Sequence, residues 1–261
     1  MDELTYVEVS LSEHCNLNCA GCSHFSPLAE PEFADPAVLR RDFERLSVLF
    51  EGKVKTVRLM GGEPLLHPQL LKILSLTREV FSSSEIQLVT NGLLIPRMET
   101  AFFQCCRTNT IHIRITEYPV KGAYRSVLSV LDKNEAAYSF SADSHRKKKQ
   151  FHHLVLDPTG GHDALLNFNE WCTCSSCTNL RGGRLYLCPV RACVKHFASY
   201  FDLKFPFSDR DSLDIHREDL SAEDILAFLR RPCPFCEYCN CEKITYGHAW
   251  QTSSRSVSEW T

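Results

Sequence analysis

Short apolar runs alternate with longer amphipathic stretches over about the first 160 residues, and this pattern predicts repeated strand–helix units. The predicted strands cover residues 6–11, 54–60, 86–90, 111–116, 137–141 and 151–156. The predicted helices begin at Pro36 and then cover residues 70–81, 96–106 and 124–132. Such units imply a parallel sheet with right-handed crossovers, and six strands are too few to close a TIM barrel. We therefore predict an α/β fold with a partial (β/α)6 TIM-like barrel.

The helix that begins at Pro36 has the clearest local signals. Asp35 is a favourable N-cap residue, and a proline at the first helical position already has the backbone angle of a helix. Apolar side chains then recur at spacings of four, three and four: Leu39, Phe43, Leu46 and Phe50. This stripe predicts an amphipathic helix that packs on the sheet.

The pattern changes at about residue 158, where short cysteine-rich motifs replace the long periodic runs. A hairpin is predicted around Gly182 and Gly183, and a helix after Ser221, with Asp224 completing a capping box. A region with so few core residues depends on bound metal for its stability. The predicted domains are a partial barrel (1–160), a small cysteine-rich C-terminal domain (161–245) and a polar tail (246–261). We expect the serine-rich end of this tail, residues 251–261, to be disordered.

Composition narrows the class of protein. The chain has 261 residues, 44% of them hydrophobic, and a formal net charge of −3. It therefore has enough apolar residues for a core and lacks the basic excess that nucleic acids and anionic membranes attract. No apolar stretch is long enough to cross a membrane, and the acidic N-terminus does not resemble a signal peptide. We predict a soluble, cytoplasmic protein without nucleic-acid or membrane partners.

The 14 cysteines are concentrated in three groups. Cys15, Cys19 and Cys22 lie near the start, Cys105 and Cys106 form an isolated pair, and nine others fall within residues 172–241. Disulfide frameworks are typical of small secreted domains, whereas this chain is long and has no export signal. The spacings of one to three intervening residues favour metal ligation. The pair Cys105 and Cys106 falls late in a predicted helix and is interpreted as buried filler.

Three motifs follow three successive predicted strands. Cys15, Cys19 and Cys22 have the spacing Cys-x3-Cys-x2-Cys after the first strand, Gly61-Gly62-Glu63-Pro64 follows the second, and Thr90-Asn91-Gly92 follows the third. Over about residues 5–160 the chain resembles the radical S-adenosylmethionine (radical SAM) enzymes. It departs from that family at Gly21, because the residue before the third cysteine is often aromatic there. A structural zinc site completed by His14 or His24 is the alternative.

The resemblance implies a set of cofactor-binding residues. Cys15, Cys19 and Cys22 would hold a 4Fe–4S cluster, whose open iron binds the amino and carboxylate groups of S-adenosylmethionine. Glu63 would accept a hydrogen bond from the cofactor ammonium, and the backbone of Gly61 and Gly62 would contact its methionine part. Four more residues at the strand ends are candidates for contacts with the cofactor or with a substrate anion: Asn91 and Thr116, and with weaker support Arg114 and Tyr118.

The C-terminal cysteines resemble the auxiliary-cluster domains called SPASM and, in the shorter form, twitch. Cys172, Gly183 and Cys188 fit the pattern Cys-x10-Gly-x4-Cys, and the twitch form closes its cluster with a late pair. The resemblance implies one auxiliary 4Fe–4S cluster held by Cys172 or Cys177, by Cys188, and by two late cysteines. Cys236 and Cys239 are favoured because aromatic residues flank them. Two clusters, or a zinc ribbon built from Cys174, Cys177, Cys236 and Cys239, stay open.

The resemblance implies an oxidoreductase or epimerase that uses a 5′-deoxyadenosyl radical on a small molecule similar to a sugar or an aminocyclitol. A flavodoxin or ferredoxin would supply the electron. The basic run at residues 146–149 leaves open a phosphorylated or nucleotide-linked substrate. The first alternative is a peptide-modifying maturase, which is disfavoured because Met1 to Tyr6 leave no room for a leader-binding domain. The second, from another class, is a non-enzymatic binding module stapled by zinc.

Overall fold

The structure, a computed structural model, describes residues 3–141, 150–153 and 155–261. The helices of this part of the chain are α1 (Pro36–Leu49), α2 (Leu70–Val80), α3 (Thr100–Thr108), α4 (Ala123–Lys133), α5 (Ala164–Leu166), α6 (Pro189–Tyr200) and α7 (Ala222–Leu229). The strands are β1 (Val7–Ser12), β2 (Thr56–Gly61), β3 (Glu85–Thr90), β4 (Ile111–Ile115), β5 (Tyr138–Phe140), β6 (Gln150–His153), β7 (Asn179–Arg181), β8 (Arg184–Tyr186), β9 (Ser212–Asp214) and β10 (Thr245–Ala249). The basic run at residues 146–149 lies outside the described residues.

One eight-stranded sheet organises the molecule, in the order β5-β4-β3-β2-β1-β7-β8-β9. Strands β1 to β5 are parallel to their neighbours, and β7 pairs in parallel with the other edge of β1. Strands β8 and β9 continue the sheet in antiparallel pairing. The predicted α/β class with an incomplete, mainly parallel barrel is confirmed. The predicted hairpin around Gly182 extends the barrel sheet itself.

The sixth predicted strand lies elsewhere. Within residues 150–156, the structure forms β6, which pairs antiparallel with β10 in a separate two-stranded sheet, and Leu156 bridges to Cys239. The prediction of a sixth parallel strand over 151–156 is therefore wrong. The reason is a competing partner: β7 takes the parallel position beside β1, and Leu156 is buried in the core of the C-terminal region.

The first core lies between the parallel sheet and helices α1 to α4. Helix α1 shows how the sequence builds it: the Asp35 carboxylate accepts hydrogen bonds from the backbone N–H groups of Ala37 (2.6 Å) and Val38 (3.4 Å). The stripe that predicted the helix is buried against the sheet: Leu39, Phe43, Leu46 and Phe50. Among the described residues, no helix is long and apolar enough to cross a membrane.

A second core fills the C-terminal region around helix α6, which sequence analysis missed. Phe197 of this helix packs on Phe25 at a ring-centroid distance of 5.6 Å and on Trp260 at 6.1 Å. Trp260 has no exposed surface, so the expectation of a disordered tail is wrong. Pro189 at the first helical position and Val190 and Val194 four residues apart are the signals that could have predicted α6.

The hairpin of β7 and β8 is attached to the barrel through a buried carboxylate on α1. Asp42 is 1% exposed, and its two oxygens accept hydrogen bonds from the backbone N–H of Gly183 (2.7 Å) and from the His216 ring (2.7 Å). Arg45, one turn further along the helix, donates to the backbone oxygens of Ile215 (2.8 Å) and Arg217 (2.7 Å). These contacts hold the cysteine-rich region in a defined position against the barrel.

Candidate active site

A cavity of about 400 Å³ opens at the carboxyl ends of the parallel strands, where α/β sheets bind ligands. It brings together almost all residues of the first predicted site: Cys15, Cys19, Cys22, Gly61, Gly62, Asn91 and Thr116. Arg114 and Tyr118 also line it, as expected from the alternation of side chains along β4. Glu63 is the one predicted residue of this set that does not line the cavity.

The sulfur atoms of the first cysteine loop are surrounded by N–H donors. The backbone N–H of Leu17 points at the Cys15 sulfur (3.3 Å), and the Asn91 side-chain amide approaches the same atom (3.7 Å). The indole N–H of Trp250 points at the Cys19 sulfur (3.1 Å). Burial raises the pKa of the free Cys15 thiol, and N–H donors of this kind favour the thiolate that binds iron. Three such thiols on one cavity wall fit a cluster.

The arrangement disfavours a mononuclear zinc site. In the part of the chain that the structure describes, no three Cys, His, Asp or Glu side chains converge as ligands of a single metal ion. A zinc ion draws four ligands to within about 2.0–2.3 Å of one point. Iron–sulfur clusters are larger bodies that accept more widely spaced thiolates. The three thiols of the first loop therefore fit a cluster that leaves one iron open.

Gly61 and Gly62 allow β2 to approach the cysteine loop at very short range. A Cβ atom at Gly61 would lie 2.4 Å from the backbone oxygen of Ser12, and one at Gly62 would lie 2.0 Å from that of His14. The backbone N–H of Gly62 donates to the Ser12 oxygen at 2.6 Å. Any side chain at either position would push the cysteine loop away. The two glycines thus set the position of the loop as well as lining the cavity.

Glu63 lies beneath the cavity wall and not on it. Its side chain is 1% exposed, and its oxygens accept hydrogen bonds from the Thr90 hydroxyl (2.6 Å) and from the backbone N–H groups of Asn91 (2.9 Å) and Leu65 (3.0 Å). Burial raises its pKa to about 7, although these three donors oppose the rise. The carboxylate holds the turn that carries Asn91. The resemblance implies that Glu63 also contacts the cofactor ammonium. That contact would come in addition to these three hydrogen bonds.

We expect Glu63→Gln to lower the free energy of unfolding by about 1–3 kcal/mol, because one amide N–H would face a backbone or hydroxyl donor. The folded carboxyl binds its proton more tightly than the unfolded one, so wild-type stability should fall as the pH rises from about 4.5 to about 7. The glutamine variant should lack that slope. Anaerobic thermal unfolding across this pH range measures both effects. An equally steep slope in the variant would assign it to another group.

Asn91 and Thr116 connect neighbouring strand ends around the cavity. The Asn91 amide donates to the side-chain oxygen of Asn16 (2.7 Å), which ties the end of β3 to the cysteine loop. The Thr116 hydroxyl lies 3.2 Å from that of Ser141. Arg114 faces the same cavity and has no ion-pair partner among the described residues. An unpaired guanidinium in a cavity is suited to bind a carboxylate or a phosphate.

The floor of the cavity is polar, and sequence analysis did not predict it. Arg58 donates to the Gln87 side-chain oxygen (2.8 Å) and to the Tyr6 hydroxyl (2.9 Å), and that hydroxyl in turn donates to Glu8. Glu8 is 5% exposed, and burial raises its pKa. The signal was available: Glu8 and Ser10 alternate with buried valines along β1, so one face of this strand is polar.

Eight of the nine C-terminal cysteines lie in one group, which adjoins the cavity. A hydrogen bond with Cys241 lowers the pKa of Cys239, but burial and the neighbouring thiols of Cys188, Cys236 and Cys172 raise it above its usual value. The structure places three of the predicted auxiliary ligands, Cys172, Cys188 and Cys236, around a fourth, Cys239. The fifth, Cys177, belongs to the same group: it neighbours Cys188, is hydrogen-bonded to Cys174, and lines the cavity with Cys174.

The remaining cysteines lie apart from this group. Cys193 is buried in α6, 3.4 Å from an Arg181 guanidinium nitrogen. Cys106 is buried in the first core, as the filler interpretation predicted, whereas Cys105 is only partly buried and packs on α2. Each of the fourteen cysteines lies in the described part of the chain, and none forms a disulfide.

Comparison with known proteins identifies the family. Residues 9–150, more than half of the chain, match the sequence profile of the Radical SAM superfamily. The chain belongs to the radical SAM superfamily. Radical SAM proteins are enzymes that bind a 4Fe–4S cluster and S-adenosylmethionine, so this chain is a radical SAM enzyme with these two cofactors. The non-enzymatic zinc module does not account for this membership.

Curated relatives align with the first part of this radical SAM chain. GTP 3′,8-cyclase of Heliobacterium modesticaldum is 33% identical over 97 residues, which are 36% of this chain and 29% of the cyclase. Molybdenum cofactor biosynthesis protein 1 of Drosophila melanogaster is 32% identical over 97 residues, 36% of this chain and 17% of that protein. The aligned segment thus spans less than a third of the length of these relatives.

A solved structure resembles nearly the whole chain. The structure of BtrN in complex with AdoMet and 2-DOIA superposes with a TM-score of 0.55 and 22% identity, over 92% of this chain and 94% of BtrN. The similarity shows a common fold that includes the barrel and the cysteine-rich region.

Proposed function

We propose that this radical SAM enzyme oxidises or epimerises a small polar molecule, with an auxiliary 4Fe–4S cluster beside the substrate. The observation that supports this proposal is a cavity that both cysteine groups line. Cys15, Cys19 and Cys22 form one wall, Cys174 and Cys177 of the auxiliary group form part of another, and the polar floor lies below. A substrate in this cavity would lie between the first cluster and the cysteine group that supplies the auxiliary ligands.

The first site has a role for each of its residues. Cys15, Cys19 and Cys22 hold the cluster, while Gly61 and Gly62 place the loop and leave room for the methionine part of S-adenosylmethionine. The polar ends of β3 and β4, Asn91 and Thr116, contact its ribose and adenine. When bound, these cofactors supply a 5′-deoxyadenosyl radical that takes a hydrogen atom from the substrate. The protein orients the reactants and excludes water.

The auxiliary site corresponds to a twitch or SPASM-like domain over about residues 161–245. We assign its ligands as Cys172, Cys188, Cys236 and Cys239, because the first three thiols all neighbour that of Cys239. In this assignment Cys177 lines the cavity but does not bind the cluster. Asn167 supports the ligand loop, since its amide donates to the backbone oxygens of Cys239 (2.6 Å) and Cys236 (3.0 Å). When bound, this cluster supplies an acceptor for the second electron of a net oxidation.

The polar floor favours a small molecule with several hydroxyl or amino groups. Glu8 offers an acceptor, Arg58 is already paired, and Arg114 offers an unpaired cation for an anionic group. BtrN, which was solved with AdoMet and 2-DOIA, has this fold over nearly its whole length, and that similarity supports a substrate of comparable size.

The electron donor and the compartment follow from this chemistry. We propose a flavodoxin or ferredoxin-type donor in the cytoplasm. Support comes from the fourteen free cysteines, which suit a reducing compartment.

The test is anaerobic incubation of the reconstituted enzyme with 2-DOIA and with related amino sugars, S-adenosylmethionine and reductant. For a true substrate we expect 5′-deoxyadenosine to form in proportion to product. A product lighter by two hydrogens indicates oxidation, whereas a product of unchanged mass in H2O that gains one deuterium in D2O indicates epimerisation. A panel of peptides serves as the comparison. Turnover of peptides alone would contradict the proposal.

A further inference from the structure

The last twelve residues described, 250–261, form a segment that lies over the first cysteine loop, and we call it the strap. Its backbone pairs with that loop in a short antiparallel arrangement. The N–H of Ala20 donates to the oxygen of Gln251 (3.0 Å), and the N–H of Ser253 donates to that of Asn18 (2.7 Å). Cys19 and Thr252 are the bridge partners between these bonds. The strap therefore contacts the residues that the proposed function assigns to the cluster.

Trp260 anchors the strap in the second core. Its ring has no exposed surface and packs at 5.9 Å from Phe25 and 6.1 Å from Phe197, measured between centroids. Its indole N–H donates to the backbone oxygen of Cys22 (2.9 Å), and its own backbone oxygen accepts from Leu156 (2.6 Å). The anchor fixes the strap at the third cysteine of the loop.

Glu259 folds the strap back on itself. Its carboxylate accepts hydrogen bonds from the hydroxyls of Ser253 (2.6 Å) and Ser254 (2.7 Å) and from the backbone N–H of Ser254 (2.7 Å). These bonds and the Trp260 anchor hold both ends of the segment. The position of Trp250 at its start is thus defined by ordered structure on each side.

Trp250 brings an aromatic ring and a donor to the middle cysteine. Its indole N–H points at the Cys19 sulfur at 3.1 Å, and the ring is half-buried. The other neighbour of the indole is the Tyr118 ring, edge-on at 6.3 Å between centroids. Cys19 is itself buried, at 7% exposure. A single N–H donor directed at a buried sulfur has a strong effect on its charge, because few water molecules compete.

Gly21 leaves room beside the loop for the strap, which brings the Trp250 ring from a distant part of the chain. Its backbone is left-handed, with φ +65°, and an added Cβ would lie 3.3 Å from the backbone oxygen of Glu259. The strap thus occupies the side of the loop where the side chain of residue 21 would project. Glycine suits this position, because the backbone is left-handed and a Cβ atom there would crowd the strap.

We infer that Trp250 is a positioning residue for the first cluster: it donates a hydrogen bond to the Cys19 thiolate and makes the cluster easier to reduce. The strap thereby brings an indole ring and an N–H donor to the side of the loop where residue 21 is a glycine. The physical reason is that the cluster gains negative charge on reduction, and a donor to a cluster sulfur stabilises the more negative form. The inference rests on the proposed ligation of the cluster by Cys15, Cys19 and Cys22.

The test compares Trp250→Phe with Trp171→Phe in the reconstituted holoenzyme, by redox titration followed with electron paramagnetic resonance. The first cluster is recognised as the signal that changes when S-adenosylmethionine is added. In Trp250→Phe, we expect full iron content and reduction that is about tenfold less favourable, which equals ~59 mV for one electron. Trp171 is 44% exposed and does not line the cavity, so its variant should titrate like the wild type. An unshifted potential in Trp250→Phe overturns the inference.

If Trp250→Phe loses its cluster, the inference can still be tested by a measurement on the wild-type protein. Electron–nuclear double resonance of the reduced enzyme, labelled with 15N in the indole, should show a coupling from one tryptophan nitrogen and its exchangeable proton. Absence of that coupling overturns the inference whatever the variant does. Failure of the proposed function has a different result: the same cluster signal would persist when Cys15, Cys19 and Cys22 are all replaced.

Discussion

Replacing Cys15, Cys19 and Cys22 together by alanine should remove about four irons per chain and abolish the reductive cleavage of S-adenosylmethionine. The three thiols line one cavity with the glycine turn of β2, and no other cysteine of the barrel domain faces that cavity among the described residues. Without them the open iron that binds the cofactor has no support. Iron analysis and the yield of 5′-deoxyadenosine with a strong reductant measure the two losses.

The matched control is Cys105→Ala, since Cys105 belongs to the same domain but packs between α2 and α3. It should keep the iron content and cleavage rate of the wild type. Cleavage at the wild-type rate in the triple variant would reject the assignment of these cysteines. So would a control that loses the same amount of iron, because the loss would then reflect general unfolding.

The elements that sequence patterns predicted are those whose signals are local. Helix α1 has its cap, its proline and its buried stripe within residues 35–50, and the structure reproduces them. Strands β3 and β4 are short apolar runs between turns, and both form as predicted. The cavity residues were predictable for the same reason, because the motifs follow directly on strands whose carboxyl ends share one edge.

The features that were missed depend on contacts between distant segments. No local pattern reveals that Trp250 reaches Cys19, a separation of 231 residues. The pairing of β7 with β1 likewise depends on which of several segments of the chain pairs with the open edge of β1. Glu63 was assigned by motif alone, and its burial under Thr90 and Asn91 follows from how the strand ends meet. Serines and a polar composition suggested disorder in the strap, although one capped turn and one buried tryptophan order it.

The auxiliary site makes the second large prediction. The double variant Cys188→Ala with Cys236→Ala should lose about four irons and turnover of the true substrate, while slow formation of 5′-deoxyadenosine persists. Both thiols neighbour Cys239, so their removal takes away half of the proposed ligand set. The first cluster stays complete, because Cys15, Cys19 and Cys22 lie on a different wall of the cavity. Iron content and 5′-deoxyadenosine yield, measured anaerobically with and without substrate, separate the two sites.

Loss of the auxiliary ligands should also loosen the cysteine-rich region specifically, because a small domain of this kind depends on its metal for folding. Hydrogen exchange should therefore rise around Asn167 and the loop it supports, while the buried strands β2 and β3 keep their protection. Cys193→Ala is the control within the same region: Cys193 is buried in α6 beside Arg181 and apart from the other eight thiols. It should retain its iron and its turnover. Full iron content and full product formation in the double variant would reject the auxiliary cluster, and exchange that rises equally in the barrel strands would show that the two regions fold as one unit.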